Sequence, residues 1–398
     1  MEPAQAMIKT KLPKGFTSNS VNCGVRKYRP DLGIISSEVD MVVAGVFTKN
    51  EGRAAPVKYC QSILPSDRIR HIITNSGQAN SATGNRGIED NLELVQHTAS
   101  TYGCLPEQVV ISSTGVIGVP LEMKKLKRGI NELHDRKSKS ANSFALAIMT
   151  TDLIPKSVYK DIELSEGKVR LTGVCKGSGM IHPNMATMLG YVFTDITLTP
   201  ESAQRYVRDI ADKSFNMISV DGETSTNDSF FLAANGQSGL TLNDPEDERI
   251  FLEAFEEISI FMAKSIAADG EGATKLIEVQ LKGHNDLERA REAARGITNS
   301  PLIKTAIHGE DPNWGRIYSR LGQFGVPEEM MNRLNLSIQG VPIVKSGQPI
   351  PLDYYKMKTR FTEDVIKIEL DFCSGDIQTV AWGCDLSKKY IDINTEYN

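Results

Sequence analysis

The segment from Lys176 to Asp195 carries the residues best suited to chemistry. It runs K-G-S-G-M-I-H-P-N-M-A-T-M-L-G-Y-V-F-T-D, from a glycine loop through a proline into an apolar strand predicted over Met188 to Phe193. Thr187 stands at the head of that strand, directly after the small residue Ala186. The Thr187 hydroxyl can attack the carbonyl of Ala186 and shift the acyl group from nitrogen to oxygen, which releases a new N-terminus.

The α-amine freed by such a cleavage is a suitable base for the same hydroxyl. Model α-amines have a pKa of about 7.7 to 8.0, so a useful neutral fraction exists near pH 7. Threonine has restricted χ1, so its hydroxyl is held in few orientations. Many ordinary strands also begin with threonine, however, and the glycine loop lacks the G-x-x-x-x-G-K-[ST] order of a phosphate-binding loop.

The elements that must position this segment follow from hydrophobic periodicity and turn residues. Strands are predicted over Asp40 to Thr48, His71 to Asn75, Val109 to Ser112, Leu276 to Leu281, Leu334 to Ile338 and Val365 to Leu370, with a hairpin of Val158 to Leu164 and Lys168 to Cys175. Helices are predicted over Ile88 to Tyr102, from Pro120, from Thr199-Pro200, from Asp244-Pro245 to about Ala267, and over Asp286 to Ala294. Mostly strands are expected after residue 294. This pattern predicts a mixed α/β protein with a smaller α+β C-terminal part.

Composition and charge limit the function classes. The 50 acidic and 45 basic residues nearly cancel and are mixed along the 398-residue chain, which argues against a nucleic-acid or membrane footprint. No apolar run approaches the ~20 residues that span a bilayer, and no signal-peptide core opens the chain, so a cytoplasmic protein is expected. The six cysteines form no C-x-x-C pair and the six histidines no H-E-x-x-H motif, so we expect reduced thiols and no metal site.

The string around Thr187 resembles the signature of the ornithine acetyltransferase family, bifunctional arginine-biosynthesis proteins that recycle acetyl groups. Further segments resemble the family in the same order: G-V-F-T-K-N at 45–50, N-S-G-Q-A-N at 75–80, S-T-G-V-I-G at 113–118, A-I-M-T-T-D at 147–152, D-G-E-T-S-T-N-D at 221–228, D-G-E-G-A-T-K at 269–275, K-T-A-I-H-G-E-D-P-N-W-G-R at 304–316 and the tail at 394–398. The resemblance covers essentially the whole chain.

This resemblance implies roles for the matched residues. Thr187 is implied to be the self-cleavage residue and the acetyl acceptor. Thr114 and Gly115 resemble the family's oxyanion hole, where one donor is typically worth ~3 to 4 kcal/mol. The implied substrate-binding residues are Thr150, Lys176, Thr187, Glu271 and Asn394. A lysine suits an α-carboxylate and a glutamate suits an ammonium group, while Thr151 beside Thr150 leaves the register open there.

The C-terminal tail departs from the family pattern. Family members commonly end with a serine or threonine just past the position that matches Asn398, and that residue contributes to binding. Either Asn398 or its carboxylate substitutes for this contact, or the contact is lost. A separate set of matched residues, Asp311, Asn313, Trp314 and Arg316, is expected to shape the fold or the site rather than to react.

The resemblance further implies a ping-pong acetyl transfer from N-acetylornithine to Thr187, with release of ornithine, and then to glutamate, without a cofactor. It implies an αββα-type sandwich core over 1–285, shared by α and β fragments 1–186 and 187–398. A smaller α+β domain over 286–398 and a heterotetramer of two α and two β chains complete the expected architecture.

Alternatives to this activity stay open. One is an N-terminal-nucleophile amidase or aminopeptidase, which would release its product to water. Another is an uncleaved binding or scaffold protein of the same fold. A third is additional acetylation of glutamate from acetyl-CoA, and a role in specialised secondary metabolism is also compatible with the sequence.

Overall fold

A computed structural model of the chain describes residues 10–135, 138, 140–182, 188–351 and 353–396. Ala186, Thr187 and Asn398, to which the sequence assigns roles, lie outside the described residues. The strands are β1 (Phe16–Val21), β2 (Leu32–Phe47), β3 (Ser66–Gln78), β4 (Val109–Val116), β5 (Lys156–Leu164), β6 (Gly167–Lys176), β7 (Leu189–Thr194), β8 (Ile218–Ser219), β9 (Ser229–Ala234), β10 (Leu276–His284), β11 (Asn335–Ile338), β12 (Val341–Lys345), β13 (Gln348–Pro349), β14 (Val365–Asp371) and β15 (Ile377–Cys384).

The helices alternate with these strands along the chain. They are α1 (Ala55–Ile63), α2 (Gly84–Tyr102), α3 (Met123–His134), α4 (Asn142–Ile148), α5 (Pro200–Lys213), α6 (Pro245–Ala268), α7 (Leu287–Thr298), α8 (Pro301–His308), α9 (Trp314–Gln323), α10 (Glu328–Met331), α11 (Tyr354–Arg360) and α12 (Lys388–Thr395), with short 3-10 helices at Pro106–Gln108 and Phe215–Met217. In the part of the chain that the structure describes, no helix is both long and apolar enough to cross a bilayer. The six cysteines form no disulfide with one another.

The first sheet has the strand order β4-β3-β2-β9-β7-β6-β5, with β1 also paired to β2. The long strand β2 joins its two halves, because Leu32–Ser37 pair with β1 and Val42–Phe47 pair with β9, while β3 pairs with β2 between Leu32 and Val43. The register of β2 against β3 shifts between Ser36 and Met41, an irregularity of the kind that bends a strand.

Buried side chains show that the two halves of this sheet pack face to face. Ile35 and Ile72 of one half share a hydrophobic cluster with Tyr191 and Phe231 of the other. The hydroxyls of Thr74 and Tyr191 lie 2.9 Å apart across this interface. On the outer faces, α2 and α3 cover the first half, and α5 and α6 cover the second. The predicted αββα-type sandwich within a mixed α/β fold is therefore confirmed.

A second sheet has the order β13-β12-β11-β14-β10-β15-β8. Helix α7 packs on β10 and β15, and α6 contacts both β15 and the first sheet, so α6 joins the two sheets. This sheet takes β8 and β10 from the N-terminal side of the predicted boundary between residues 285 and 286. That boundary stays a prediction.

Local sequence signals account for much of this architecture. The predicted hairpin is present as β5 and β6, and the side chain of Asp244 accepts a hydrogen bond from the backbone of Glu246 at 2.7 Å, capping α6 as expected. The expectation of mostly strands after residue 294 is wrong, because α8, α9, α11 and α12 lie there among the strands. In α8, Ser300 accepts a hydrogen bond from the backbone N–H of Ile303, and Pro301 opens the helix.

Helix α6 yields a test of the packing. Phe255 is fully buried and its ring lies 5.9 Å from that of Phe230 in β9, whereas Phe261 on the same helix is 51% exposed. We expect Phe255→Ala to lower the free energy of unfolding by about 3–5 kcal/mol, because it leaves a cavity between α6 and the sheet. Phe261→Ala should change it by about 0.5 kcal/mol or less. Urea unfolding followed by circular dichroism measures both, and equal losses in the two variants would contradict this packing.

Candidate active site

One cavity brings together every described residue to which the sequence assigns a site role. Its volume is about 250 Å³. The six residues of this set on its wall are Thr114, Gly115, Thr150, Lys176, Glu271 and Asn394. These residues come from five distant segments of the chain, so folding alone brings them together. Thr187 lies outside the described residues, and its neighbour Met188 directly precedes β7.

The end of β4 positions Thr114 and Gly115. Strands β3 and β4 run parallel, and Gly115 pairs with Gly77. Gly115 has φ +131°, and a Cβ atom there would lie 2.3 Å from the Gly77 carbonyl carbon, so only glycine fits. The side-chain amide of Asn227 donates hydrogen bonds to the carbonyls of Ala79 and Ser113 at 2.6 and 2.9 Å. The 221–228 segment is thereby fixed against the end of β4.

Lys176 ends β6 with its side chain buried in the site. Its ammonium nitrogen lies 3.4 Å from the Thr114 hydroxyl oxygen, so the two predicted site residues are in contact. Burial lowers the pKa of Lys176, and the negative charge of Asp152 opposes that effect. A buried cation at this point can bind a carboxylate with little competition from water.

Glu271 and the C-terminal tail meet at the wall of the same cavity. The side-chain amide of Asn394 in α12 donates a hydrogen bond to a Glu271 carboxylate oxygen at 2.9 Å. The backbone N–H of Glu271 donates to the carbonyl of Ser178 at 3.1 Å. A Cβ atom at Gly179 would lie 2.4 Å from the Glu271 carboxyl group, so any other residue there would displace that group. The tail therefore folds back onto the cavity, as the resemblance implied.

Thr150 follows α4 and is held through its backbone. Its N–H donates to a carboxylate oxygen of Asp152 at 2.9 Å, and its carbonyl accepts from the guanidinium of Arg26 at 3.1 Å. Thr150 and Thr151 both line the 250 Å³ cavity, so the structure does not separate the two registers. A larger cavity of about 820 Å³ adjoins it and shares Thr150, Thr151 and Glu271. The smaller cavity is the candidate active site, because it also contains Thr114, Gly115 and Lys176.

A buried ion cluster underlies the cavity. The ammonium group of Lys156, at the start of β5, lies 2.8 Å from a carboxylate oxygen of Asp152 and 2.5 Å from one of Asp269, and all three side chains are buried. Asp152 also accepts a hydrogen bond from the backbone N–H of Gly177 at 2.7 Å. Burial would raise the pKa of Asp152, but the positive charges of Lys156 and Lys176 outweigh it and hold that pKa below its usual range.

Both aspartates of this cluster adjoin residues that the resemblance assigns to substrate binding. Asp152 bonds to the backbone of Thr150 and of the residue after Lys176, while Asp269 precedes Glu271 by two positions. The sequence motifs at 147–152 and 269–275 contain both aspartates, but gave neither a role. Lys156 was missed, because its spacing of four from Asp152 is equally typical of an exposed pair on a helix.

The assembled groups define what the site can do. A buried cation and a carboxylate around one cavity suit an amino acid, and a hydroxyl with a backbone N–H at Thr114 and Gly115 suits a developing oxyanion. Among the described residues, no group of three or more histidine, cysteine or acidic side chains could hold a metal ion.

Comparison with known proteins gives a consistent result. The model of the ArgJ family matches residues 17–398. The chain is 42% identical over 388 residues to the arginine biosynthesis bifunctional protein ArgJ of Oceanobacillus iheyensis, covering 97% of this chain and 95% of that protein. It is 41% identical to the protein of the same name from Thermosynechococcus vestitus, with 96% of each covered. The crystal structure of the ArgJ protein of Bacillus halodurans is 36% identical with a TM-score of 0.51, covering 53% of this chain and 100% of that one.

The ion cluster leads to a prediction about stability. Asp152→Asn should lower the free energy of unfolding at pH 7 by about 3–5 kcal/mol, because it breaks a buried ion pair and leaves Lys156 with less negative charge. A carboxyl whose pKa is depressed by folding stabilises above its unfolded pKa of about 4 and loses that contribution as the pH falls further. The difference between wild type and variant should therefore shrink below about pH 4. Urea unfolding at several pH values measures it.

Asp161→Asn is the matched control for this experiment. Asp161 pairs with Arg170 at 2.6 Å, but its side chain is 47% exposed. Exposed ion pairs contribute about 1 kcal/mol or less, so this variant should lose little stability. A loss at Asp152 no larger than that at Asp161 would contradict a central role for the cluster.

Proposed function

Because the chain belongs to the ArgJ family and is an acetyltransferase of arginine biosynthesis, we propose that it moves acetyl from N-acetylornithine to glutamate through an ester on Thr187. The observation that carries this proposal is the single cavity that combines Lys176, Glu271 and the Thr114-Gly115 pair. Strand β7, which Thr187 precedes by two residues, pairs directly with β6, the strand that ends at Lys176.

The charges of the cavity match the α-carboxylate of both amino acids and the side-chain ammonium group of N-acetylornithine. Lys176 binds the α-carboxylate that donor and acceptor share, and its burial favours that pairing over solvation. Glu271 binds the side-chain ammonium group of N-acetylornithine, with Asn394 holding its carboxylate in place. After ornithine leaves, glutamate enters with its α-amine towards the acetyl ester.

The chemistry then proceeds in two equivalent halves. The Thr187 hydroxyl attacks the acetyl carbonyl as its proton passes to the Thr187 α-amine. The Thr114 hydroxyl and the Gly115 N–H stabilise the oxyanion, and the proton moves to the departing ornithine amine. In the second half, the α-amine of glutamate attacks the Thr187 ester, and the same steps run in reverse. The first half converts an amide into the Thr187 ester and the second converts that ester into a new amide, so the overall reaction exchanges one amide for another and requires no cofactor. Thr114, Lys176 and Glu271 are each less than 10% exposed, which limits loss of the ester to water.

Cleavage between Ala186 and Thr187 is part of this proposal. The whole crystallised ArgJ chain of B. halodurans corresponds to 53% of this chain, whereas the O. iheyensis relative is matched over 95% of its length. Residues 187–398 form 53% of the 398-residue sequence, the share expected of a β fragment. Strands β6 and β7 pair side by side across the cleavage point, so the two fragments would stay together. We place the cleaved protein in the cytoplasm as a heterotetramer of two α and two β chains.

Processing is tested by mass spectrometry of the purified protein. Wild type should yield two fragments in place of one 43.8 kDa chain, since Thr187 supplies the attacking hydroxyl. Thr187→Ala should remain intact and inactive, while Thr197→Ala, at an exposed threonine after β7, should be cleaved and active. One intact chain in the wild type would overturn the cleavage.

A transfer assay on the same samples separates the remaining activities. N-acetylornithine and acetyl-CoA are compared as donors, each with glutamate. Transfer from N-acetylornithine is expected, and transfer from acetyl-CoA would show the second activity. Release of acetate without added glutamate, at a rate equal to transfer, would instead identify an amidase.

The oxyanion role predicts a particular kinetic change. Thr114→Ala should lower kcat by about 10²–10³-fold and leave KM nearly unchanged, because the hydroxyl is used in the transition state. Thr114→Ser retains the hydroxyl and should recover most of the rate. Steady-state kinetics on fully cleaved protein measures both. A rise in KM at constant kcat would assign Thr114 to substrate binding instead.

A further inference from the structure

Asp228 is a buried acid for which the mechanism above has no use. It directly precedes β9, and its side chain is 1% exposed. Among the described residues, neither of its carboxylate oxygens has a hydrogen-bond partner with good geometry. Burial raises the pKa of this carboxyl well above its usual value, although Lys176, the Met188 N–H and the Thr48 hydroxyl each lower it. An unsatisfied buried carboxylate opposes folding, so its presence needs a reason outside stability.

The register of β7 and β9 places Asp228 beside the head of β7. The two strands are parallel and Leu189 pairs with Ser229. The backbone N–H of Ser229 donates to the Met188 carbonyl at 3.1 Å. The Met188 N–H lowers the pKa of the Asp228 carboxyl. Three covalent bonds separate the Met188 nitrogen from that of Thr187, so the two nitrogens are within roughly 4 Å of each other.

We propose that Asp228 is a positioning residue that accepts a hydrogen bond from the α-amine of Thr187 once the chain has been cleaved. This inference rests on the function proposed above. Before cleavage, the Thr187 nitrogen is a neutral amide. Cleavage converts it into an amine that can carry positive charge, so Asp228 gains a charged partner only in the mature enzyme.

This contact directs the base towards the hydroxyl that it activates. When the Thr187 oxygen bonds to the acetyl carbon, its proton passes to the α-amine, which becomes an ammonium group. The proton leaves again with the ornithine nitrogen as the carbon–nitrogen bond breaks, and Asp228 takes no part in this transfer. In the described part of the chain, Lys176 from β6 is the charged side chain that lowers the pKa of Asp228. The pKa of Lys176 is in turn raised by Asp152 and Glu271 and lowered by Lys156. Asp228 offsets the tendency of Lys176 to keep the amine uncharged and weakly basic.

The test measures the protonation of the Thr187 amine directly. Cleaved wild type and Asp228→Asn are labelled with acetic anhydride over a range of pH, and mass spectrometry of the β-chain N-terminal peptide gives the labelled fraction. Loss of the carboxylate should lower the pKa of this amine by about one unit. The acidic limb of the plot of kcat/KM against pH should shift to lower pH by the same amount, because the amine must be neutral to act. The maximum of kcat/KM should fall at least about tenfold. An amine pKa and a pH profile identical to wild type would falsify the proposal.

Controls separate this role from a structural one. Asp90→Asn makes the same change at a buried carboxylate in α2 that also has an oxygen without a hydrogen-bond partner, and it should leave the pH profile unchanged. Asp228→Glu keeps the charge and should retain the raised amine pKa. Asp228→Asn should unfold no more easily than wild type. If it folds but is not cleaved, or if both Asp228 variants fail to fold, Asp228 acts in the precursor or in the fold and the inference is overturned. Failure of wild type to cleave contradicts the proposed function instead.

Discussion

The ammonium group of Lys156 holds together the segments on which the candidate active site depends. It joins Asp152, after α4, to Asp269, after α6, in a place from which water is excluded. A buried charge without a partner is unfavourable, so moving either aspartate segment away would destabilise the fold. Because Asp152 also binds the backbone after Lys176, one ion cluster fixes the segments of three cavity residues relative to each other.

The bend in β2 is the second constraint, and it acts on a larger scale. An 8-stranded sheet that stayed open would separate the end of β4 from the end of β6 by the width of several strands. Since β2 pairs first with β1 and then with β9 and the sheet closes into a sandwich, Thr114 and Lys176 come into contact. Asn227 then ties the segment before β9 to the end of β4. The cavity is therefore a product of sheet packing and not of a single loop.

Charge balance gives the site its character. Burial lowers the pKa of Lys176, and the negative charge of Asp152 in the cluster opposes that effect. Glu271 is held by Asn394 from the C-terminal helix, so one carboxylate is oriented and left accessible from the cavity. Asp228, on the other flank of β7, has no comparable support among the described residues. This contrast between a supported and an unsupported carboxylate is the basis of the positioning role proposed for Asp228.

Sequence reasoning predicted individual elements well where the signal was local. The capped start of α6 and the β5–β6 hairpin depend on residues close in the chain, and both are present. Helices such as α8 were missed, because short apolar runs after residue 294 match strand and helix patterns equally. The cavity residues were assigned through a resemblance, since no periodicity or spacing within Lys176, Glu271 and Asn394 places them together.

The sequence by itself determined which chemical groups are available: a threonine after a small residue, a threonine–glycine pair after a strand, a lysine and a glutamate. These groups follow directly from the residue types and do not require coordinates. Only the tertiary structure decided that Lys156 neutralises two aspartates and that the buried Asp228 carboxylate has no well-formed hydrogen bond from the described residues. The physical reason is that burial and charge pairing arise between residues far apart in the chain, here 113 positions for Lys156 and Asp269, and no local pattern records them.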